Sequence, residues 1–285
     1  MMNHVAATPF LKWAGGKRRL LKQYTPFFPP IDSINRYYEP FVGSGAVFFH
    51  LQPTRSFLSD QNEKLIEVYQ QIQTNVEALI EALSPHKNES GYYYDIRAQN
   101  PDELTAVTRA ARFIYLNKTC YNGLYRENSR GIFNVPFGRY KNPAICDADR
   151  LHTASAALQG VTIEANDFET AVSTAATNDF IYFDPPYVPL SQTSNFTSYS
   201  KHGFNEIDQR RLAATIDQLT IKGCRVMLSN SSAPLVYELY GGDNGLSSRS
   251  SGSHYYLHDI SARRNINSNP NRRGPVKELL ILNYN

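Results

Sequence analysis

Cysteine is scarce in this chain. Cys120, Cys146 and Cys224 are the only three among 285 residues, and they stand in unrelated contexts. An odd, scattered set builds neither a disulfide framework nor a zinc site, and it predicts reduced thiols in a cytoplasmic protein. Long apolar runs are missing as well: no stretch reaches the roughly 20 residues that span a bilayer, and the N-terminal residues lack a secretory apolar core. No membrane partner is therefore expected. Charge of one sign is not in excess either, since 29 Lys and Arg face 26 Asp and Glu for a net +3. The total thus makes no case for nucleic acid, although a basic patch can hide in a balanced sum.

Two nucleotide signatures fail. The third glycine of a dinucleotide fingerprint starting at Gly43 would stand where Phe48 stands. A phosphate loop ending in Gly16-Lys17 would need Gly in place of Leu11 and Ser or Thr in place of Arg18. His254 and His258 have a metal spacing only on a helix, and Tyr255-Tyr256-Leu257 between them reads as strand. No metal is expected.

What is present is a set of acidic and aromatic residues at strand ends. Phe180-Ile181-Tyr182-Phe183 is an apolar run that runs straight into Asp184-Pro185-Pro186-Tyr187. The prolines cannot donate to a sheet, and the residue before a proline is pushed to extended backbone, so the chain leaves the strand there. A carboxylate and a flat ring then emerge at the carboxyl end of a strand, where open α/β sheets bind ligands. Asp184 and the Pro185 carbonyl suit the protons of a planar exocyclic amine such as adenine N6, and Tyr187 suits its ring. Read alone, Asp-Pro-Pro is also ordinary turn chemistry.

Three further segments share this character. Tyr37-Tyr38-Glu39 runs into Pro40-Phe41-Val42-Gly43-Ser44-Gly45, a loop whose glycines permit sharp turns and close approach. Asp60 ends the strand-like Ser56-Phe57-Leu58-Ser59, a place where a carboxylate can accept from ribose hydroxyls. Asn166-Asp167-Phe168 follows Val161-Thr162-Ile163-Glu164, with acceptors for an adenine amine and a ring for its face.

The organisation is α/β with an interruption. Leu65, Ile66, Val68, Tyr69 and Ile72, then Val76, Leu79, Ile80 and Leu83 with Asn75 as N-cap, then Val107, Ala110, Ala111, Ile114 and Tyr115, all repeat at helical spacing. No strand is expected between 62 and 150. Strands are expected at Val161–Glu164, Phe180–Phe183, Arg225–Leu228, Tyr255–Ile260 and Leu279–Asn283, and helices near 208–221 and 233–240. This predicts a discontinuous catalytic domain, 1–61 and 151–285, with a mainly helical domain inserted at 62–150.

Together these blocks resemble the Dam-type, D12-class DNA adenine-N6 methyltransferases, in the order where the cofactor motif precedes the catalytic one. The resemblance runs through Phe10-Leu11-Lys12-Trp13-Ala14-Gly15-Gly16-Lys17, the Glu39–Gly45 loop, and Tyr121-Asn122-Gly123-Leu124-Tyr125-Arg126. It continues through Phe133–Pro143, Asp184–Tyr187 and Asn195–Tyr199 and so covers nearly the whole chain. It implies a Rossmann-like sheet and methyl transfer from S-adenosyl-L-methionine, leaving S-adenosyl-L-homocysteine, to adenine in double-stranded DNA. The implied site is GATC, the adenine is flipped out, and the enzyme acts as a monomer in a bacterial cell or from a phage. Asp184, Pro185, Pro186 and Tyr187 become catalytic. Cofactor contacts fall to Trp13, Ala14, Gly15, Lys17, Glu39, Pro40, Phe41, Gly43, Ser44, Gly45, Asp60, Asp167, Phe168 and Asp184.

The stretch from Lys118 to Lys141 interleaves Arg126, Arg130 and Arg139 with Tyr125, Phe133, Phe137 and Tyr140. By composition alone this is equally a packed loop with solvated charges. The resemblance makes Arg126 the reader of a guanine, brings Lys12 to another, and assigns Asn122, Leu124, Asn134, Arg139 and Tyr140 to DNA. Phe196 and Tyr199 are expected to close over the base. Arg18, Arg19 and Lys22 on a helix, and Arg263, Arg264, Arg272, Arg273 and Lys277 around a hairpin, are candidates for phosphates. No Pro-Cys pair occurs, so the nucleophile of cytosine-C5 methyltransferases is absent. Another amino-methyltransferase (cytosine N4, RNA or protein glutamine) and a non-catalytic DNA-binding homologue stay open as alternatives.

Overall fold

The computed structural model of the protein describes residues 7–190, 204–241, 255–263 and 275–285. Its strands are β1 (Tyr37–Glu39), β2 (Ser56–Asp60), β3 (Thr162–Ala165), β4 (Phe180–Phe183), β5 (Arg225–Ser231), β6 (Tyr256–Arg263) and β7 (Pro275–Leu282). Its helices are α1 (Leu21–Tyr24), α2 (Ala46–Leu51), α3 (Glu63–Thr74), α4 (Val76–Leu83), α5 (Ser90–Ala98), α6 (Ala106–Thr119), α7 (Ala148–Leu158), α8 (Phe168–Ala171), α9 (Glu206–Ile221) and α10 (Pro234–Tyr240). The strands form one mixed sheet in the order β3-β2-β1-β4-β5-β7-β6. β4 lies parallel to both β1 and β5, and β7 is antiparallel to β5 and β6. The strand order reverses between β1 and β4, the kind of switch point outside which α/β sheets bind ligands. No helix among the described residues is long and apolar enough to cross a membrane.

The chain forms two compact units, Met1–Lys17 with Val42–Thr54 and Leu58–Ala165, and Arg18–Phe41 with Arg55–Phe57 and Asn166–Asn285. In the first, α3 buries Leu65, Ile66, Val68, Tyr69 and Ile72, the stripe its spacing predicts. Between 62 and 150 the described residues carry only isolated bridges, Cys120 with Phe137 and Glu127 with Phe133. α6 departs from an amphipathic pattern, because every residue from Ala110 to Thr119 is buried. Among them Arg112 donates to the Ile96 and Arg97 carbonyls at the end of α5, at 2.9 and 2.8 Å. Those carbonyls lack helical partners, so the guanidinium serves as a cap supplied from a neighbouring helix.

Asn75 is the N-cap residue of α4, as expected, with its carbonyl accepting from Leu79 N at 3.0 Å, but its side chain makes no capping hydrogen bond. It also ends α3, with φ −136° and ψ 38°, and its amide donates to Gln71 Oε1 and Thr74 Oγ1.

In the second unit, β4 is buried along its whole length, as a strand paired in parallel on both sides requires. α9 opens with a capping box between Asn205 and Asp208. The apolar reading ends β5 at Leu228, but it continues through Ser229, Asn230 and Ser231, with Ser231 opposite Glu278 of β7. β7 likewise starts at Pro275 rather than Leu279. In these added stretches Ser229, Asn230, Ser231 and Glu278 make side-chain contacts. Arg18 and Arg19 fall in a 3-10 helix, Lys17–Arg19, just ahead of the short α1 that carries Lys22. His258 lies on β6 with its ring 4.4 Å from that of Phe27, and burial lowers its pKa. Among the described residues no cluster of His, Cys, Asp or Glu could hold a metal; His254 lies outside them.

Candidate active site

Asp184 leaves the end of β4 half-buried, followed by buried Pro185, exposed Pro186 and half-buried Tyr187. Two successive prolines supply no N–H, so the turn is fastened by side chains instead. Ser229 Oγ donates to Asp184 Oδ1 at 2.8 Å. Gln209 Nε2 donates to the Pro186 carbonyl at 2.9 Å, and Asn230 Nδ2 donates to Gln209 Oε1 at 3.1 Å. Asn230 Oδ1 accepts from Val188 N at 3.2 Å, while Ser231 Oγ donates to the Val188 carbonyl at 2.6 Å. Tyr187 Oη donates to Glu278 Oε2 at 2.8 Å. Burial, then the charge of Asp184, pushes the Tyr187 phenol well above its ordinary range, so it remains a donor. Tyr24 and Tyr182 stand in the same field and are raised for the same first reason.

Sequence reasoning singles out Asp184 to Tyr187 and does not point to Ser229, Asn230, Gln209 and Glu278, which the structure brings to the turn. A Ser-Asn-Ser run closing an apolar strand was the available signal.

The neighbouring strand β1 ends in Glu39, which is buried and accepts from Tyr37 Oη at 2.7 Å. Pro40 is buried, and half-buried Phe41 stacks on Phe168 at 5.7 Å. Phe168 is 1% exposed, between Phe41, Phe204 and the Arg211 guanidinium. Its ring is a core residue here rather than an open face for a base. Asp167 caps α8, so its Oδ1 accepts from Glu169 N at 3.0 Å and from Arg211 Nη2 at 3.1 Å.

The first unit carries the glycine loop. Gly43 and Gly45 have φ of +46° and +65°, conformations that favour glycine. A Cβ at Gly43 would lie 2.8 Å from Trp13 Cδ1, and one at Gly45 would lie 2.8 Å from Tyr69 Oη. Tyr69 Oη donates to the Gly43 carbonyl at 3.0 Å. Asp60 Oδ2 accepts from Gly43 N at 3.2 Å and Oδ1 from Asn62 N at 3.0 Å. Burial raises the Asp60 pKa, and these backbone donors oppose the rise. Asp60 therefore shapes the loop as well as presenting a carboxylate.

Half-buried Trp13 stacks on Tyr125 at 5.8 Å and Phe113 at 6.4 Å. Ala14 and Gly15 are exposed, Lys17 is buried, and Lys17 Nζ donates to the Gly15 carbonyl at 2.7 Å. Buried Ser44 lies in the same loop. Trp13, Gly43 and Asp60 are thus brought together at a buried glycine loop, with Ala14 and Gly15 exposed next to Trp13. A half-buried indole next to an exposed turn that carries no side chain at Gly15 suits a nucleoside.

In the same unit, Asn117 (1% exposed) clasps the Lys12 backbone from both sides. Its Oδ1 accepts from Lys12 N at 2.9 Å and its Nδ2 donates to Lys12 O at 2.7 Å. Gly123 has φ +62° and passes so close that a Cβ would lie 2.5 Å from Lys12 Cβ. Lys12 Nζ sits 3.6 Å over the Tyr140 ring and donates to the Lys118 carbonyl. Exposed Arg126 donates through Nε to Asn134 Oδ1 at 2.7 Å. Asn122 (φ 56°) and Arg139 are exposed, and Leu124 is half-buried. The structure thus pairs Lys12 with Tyr140 and Arg126 with Asn134. Phe196, Tyr199, Arg264, Arg272 and Arg273 lie outside the described residues, as does the side chain of Arg263.

Lys118 was read as one charge of this loop, but it is 7% exposed. Burial pulls its ammonium down to about 8, and the cations of Arg150 and Lys12 act in the same direction. The unfolded chain keeps that proton up to the ordinary 10.5, so folding releases it between the two values. Stability linked to Lys118 is therefore gained as pH rises from 8 towards 10. Lys118→Met should stabilise the protein at pH 7 by about 1–3 kcal/mol and remove this gain. Urea midpoints of both proteins from pH 7 to 10 check it; parallel curves contradict it.

The comparisons agree with this geometry. The model of the D12 class N6 adenine-specific DNA methyltransferases matches residues 13–265. The chain is 43% identical over 290 residues to the type II methyltransferase M1.LlaDCHI of Lactococcus lactis subsp. cremoris, covering 99% of this chain and 97% of that one. It is 42% identical to the type II methyltransferase M.MjaIII of Methanocaldococcus jannaschii, covering 97% and 99%. It is 36% identical to the DNA adenine methylase of Escherichia coli K12, covering 96% and 94%. With its mixed seven-stranded sheet, the chain belongs to the D12 class of N6 adenine-specific DNA methyltransferases.

Proposed function

We propose that the protein methylates N6 of an adenine flipped out of double-stranded DNA, within GATC, using S-adenosylmethionine. The observation that carries the reading is Asp184 at the end of β4, with one carboxylate oxygen held by buried Ser229 and Tyr187 three residues on. S-adenosylmethionine supplies a methyl group made electrophilic by its sulfonium centre. The chain's own task is to make a poor nucleophile competent. The lone pair of adenine N6 is delocalised into the ring, and hydrogen bonds from the amine to Asp184 and the Pro185 carbonyl favour a tetrahedral nitrogen. Tyr187 stacks on the extruded base, because an adenine inside a duplex is out of reach. Placement of the two reactants supplies much of the acceleration.

Trp13–Lys17, the Glu39–Gly45 loop, Asp60 and Asp167 are the cofactor contacts on this reading. The exposed turn at Ala14–Gly15 and the positive φ of Gly43 and Gly45 support it. Residues 62–150 act as the target-recognition domain and residues 1–61 with 151–285 as the catalytic one. Exposed Arg126, steadied by Asn134, reads a guanine, and Lys12 reads another.

The test is transfer of labelled methyl from S-adenosylmethionine to unmethylated duplexes with and without GATC, followed by identification of the base. N6-methyladenine confined to GATC is expected. N6-methyladenine elsewhere overturns the site, and label on cytosine overturns the chemistry.

A further inference from the structure

We infer that Glu278 is a positioning residue for methyl transfer: through its hydrogen bond to Tyr187 Oη it sets the plane on which the target base stacks. The inference rests on the proposed role of Tyr187 and adds a residue from a distant strand to it.

Tyr187 follows two prolines, and its ring turns about two side-chain torsions. A stacking surface needs both torsions fixed before the base arrives, or their entropy is lost at the moment of binding. Two contacts hold the backbone of the turn: Gln209 holds the Pro186 carbonyl and Asn230 holds the Val188 N–H. The far end of the ring is fixed by Glu278, 2.8 Å from Tyr187 Oη. Glu278 is itself set in β7, opposite Ser231 of β5, and Ser229 of β5 holds Asp184. One antiparallel strand pair thus carries the anchors of both working side chains. A carboxylate acceptor makes the tether charge-assisted and stronger than a neutral one.

Leu279 to Leu282, which follow Glu278 in β7, are all buried and apolar. A leucine would serve packing there at least as well. The Glu278 carboxylate instead reaches the Tyr187 phenol.

The experiment compares Glu278→Leu, Glu278→Gln, Tyr187→Phe and the double variant Glu278→Leu/Tyr187→Phe. It measures single-turnover transfer to a GATC duplex, S-adenosylmethionine affinity, and the fluorescence of 2-aminopurine placed at the target adenine. Glu278→Leu and Tyr187→Phe should each slow transfer roughly tenfold with cofactor affinity unchanged. The double variant should be no slower than either single one, because both remove one tether. Glu278→Gln keeps an acceptor and should recover transfer to within about threefold. The 2-aminopurine signal of the flipped base should change in the two slow variants and return in Glu278→Gln.

Independent, multiplying losses in the double variant overturn the inference, as does wild-type transfer by folded Glu278→Leu. Should Glu278→Leu not fold, Tyr187→Phe decides, since it deletes the same bond without removing the charge: unaltered transfer and fluorescence refute the tether. Asp184→Ala run in parallel separates the two levels. Loss in Asp184→Ala with none in these variants refutes Glu278 alone, whereas transfer surviving in Asp184→Ala refutes the underlying reading.

Discussion

Asp184→Ala should slow methyl transfer by roughly a thousandfold or more while leaving the protein folded. The size follows from what the carboxylate does. No other side chain of the Asp-Pro-Pro-Tyr turn can accept a proton or a hydrogen bond strongly enough to draw electron density towards an exocyclic amine. Stability should change little. The substitution removes one half-buried carboxylate, and Ser229 Oγ already lies 3.5 Å from the Phe183 carbonyl, a second acceptor for its proton. Cofactor affinity should fall far less than the rate, because the loss belongs to the transfer step. Single-turnover transfer, with thermal unfolding as the control, checks this. Wild-type-like turnover by a folded variant removes Asp184 from the mechanism.

Arg126→Ala should cost roughly ten- to a hundredfold in the preference for the correct base over the wrong one at a single guanine position. Arg126 is exposed, and its contacts with Asn134 use Nε and, at 3.4 Å, Nη2. A guanidinium held this way can reach guanine O6 and N7 together. Binding to unrelated duplexes should weaken much less, and the salt dependence of binding should stay unchanged. A phosphate contact behaves in the opposite manner, weakening every sequence alike and lowering the salt slope by about one. Competition among duplexes altered at one base pair each, at two salt concentrations, separates the outcomes.

The legible part of this protein lay where local chemistry is unusual. Phe180–Phe183 reads as a buried strand because four apolar residues precede a carboxylate and two prolines, and β4 has those bounds. The helical stripe of α3 was equally plain. Misreadings gather where tertiary contacts override the local signal. Ser229-Asn230-Ser231 end the apolar signal of β5 early, though these residues fasten the Asp-Pro-Pro-Tyr turn and the residue after it. Lys118 reads as a loop charge and is buried on α6. Phe168 reads as a ring open to a base and is packed under Phe41, Phe204 and Arg211.

By itself the sequence determined the family, the α/β class and the Asp-Pro-Pro-Tyr and Gly-x-Gly segments, because these depend on the order of neighbouring residues. The tertiary structure alone decided what holds those segments in place. Ser229 is 45 residues from Asp184 and Glu278 is 91 from Tyr187. Pairing of β4 with β5, and of β5 with β7, brings Ser229 and Glu278 to the turn. A serine and a glutamate carry no local mark of such a role, since a hydrogen-bond partner is chosen by strand register and not by proximity along the chain.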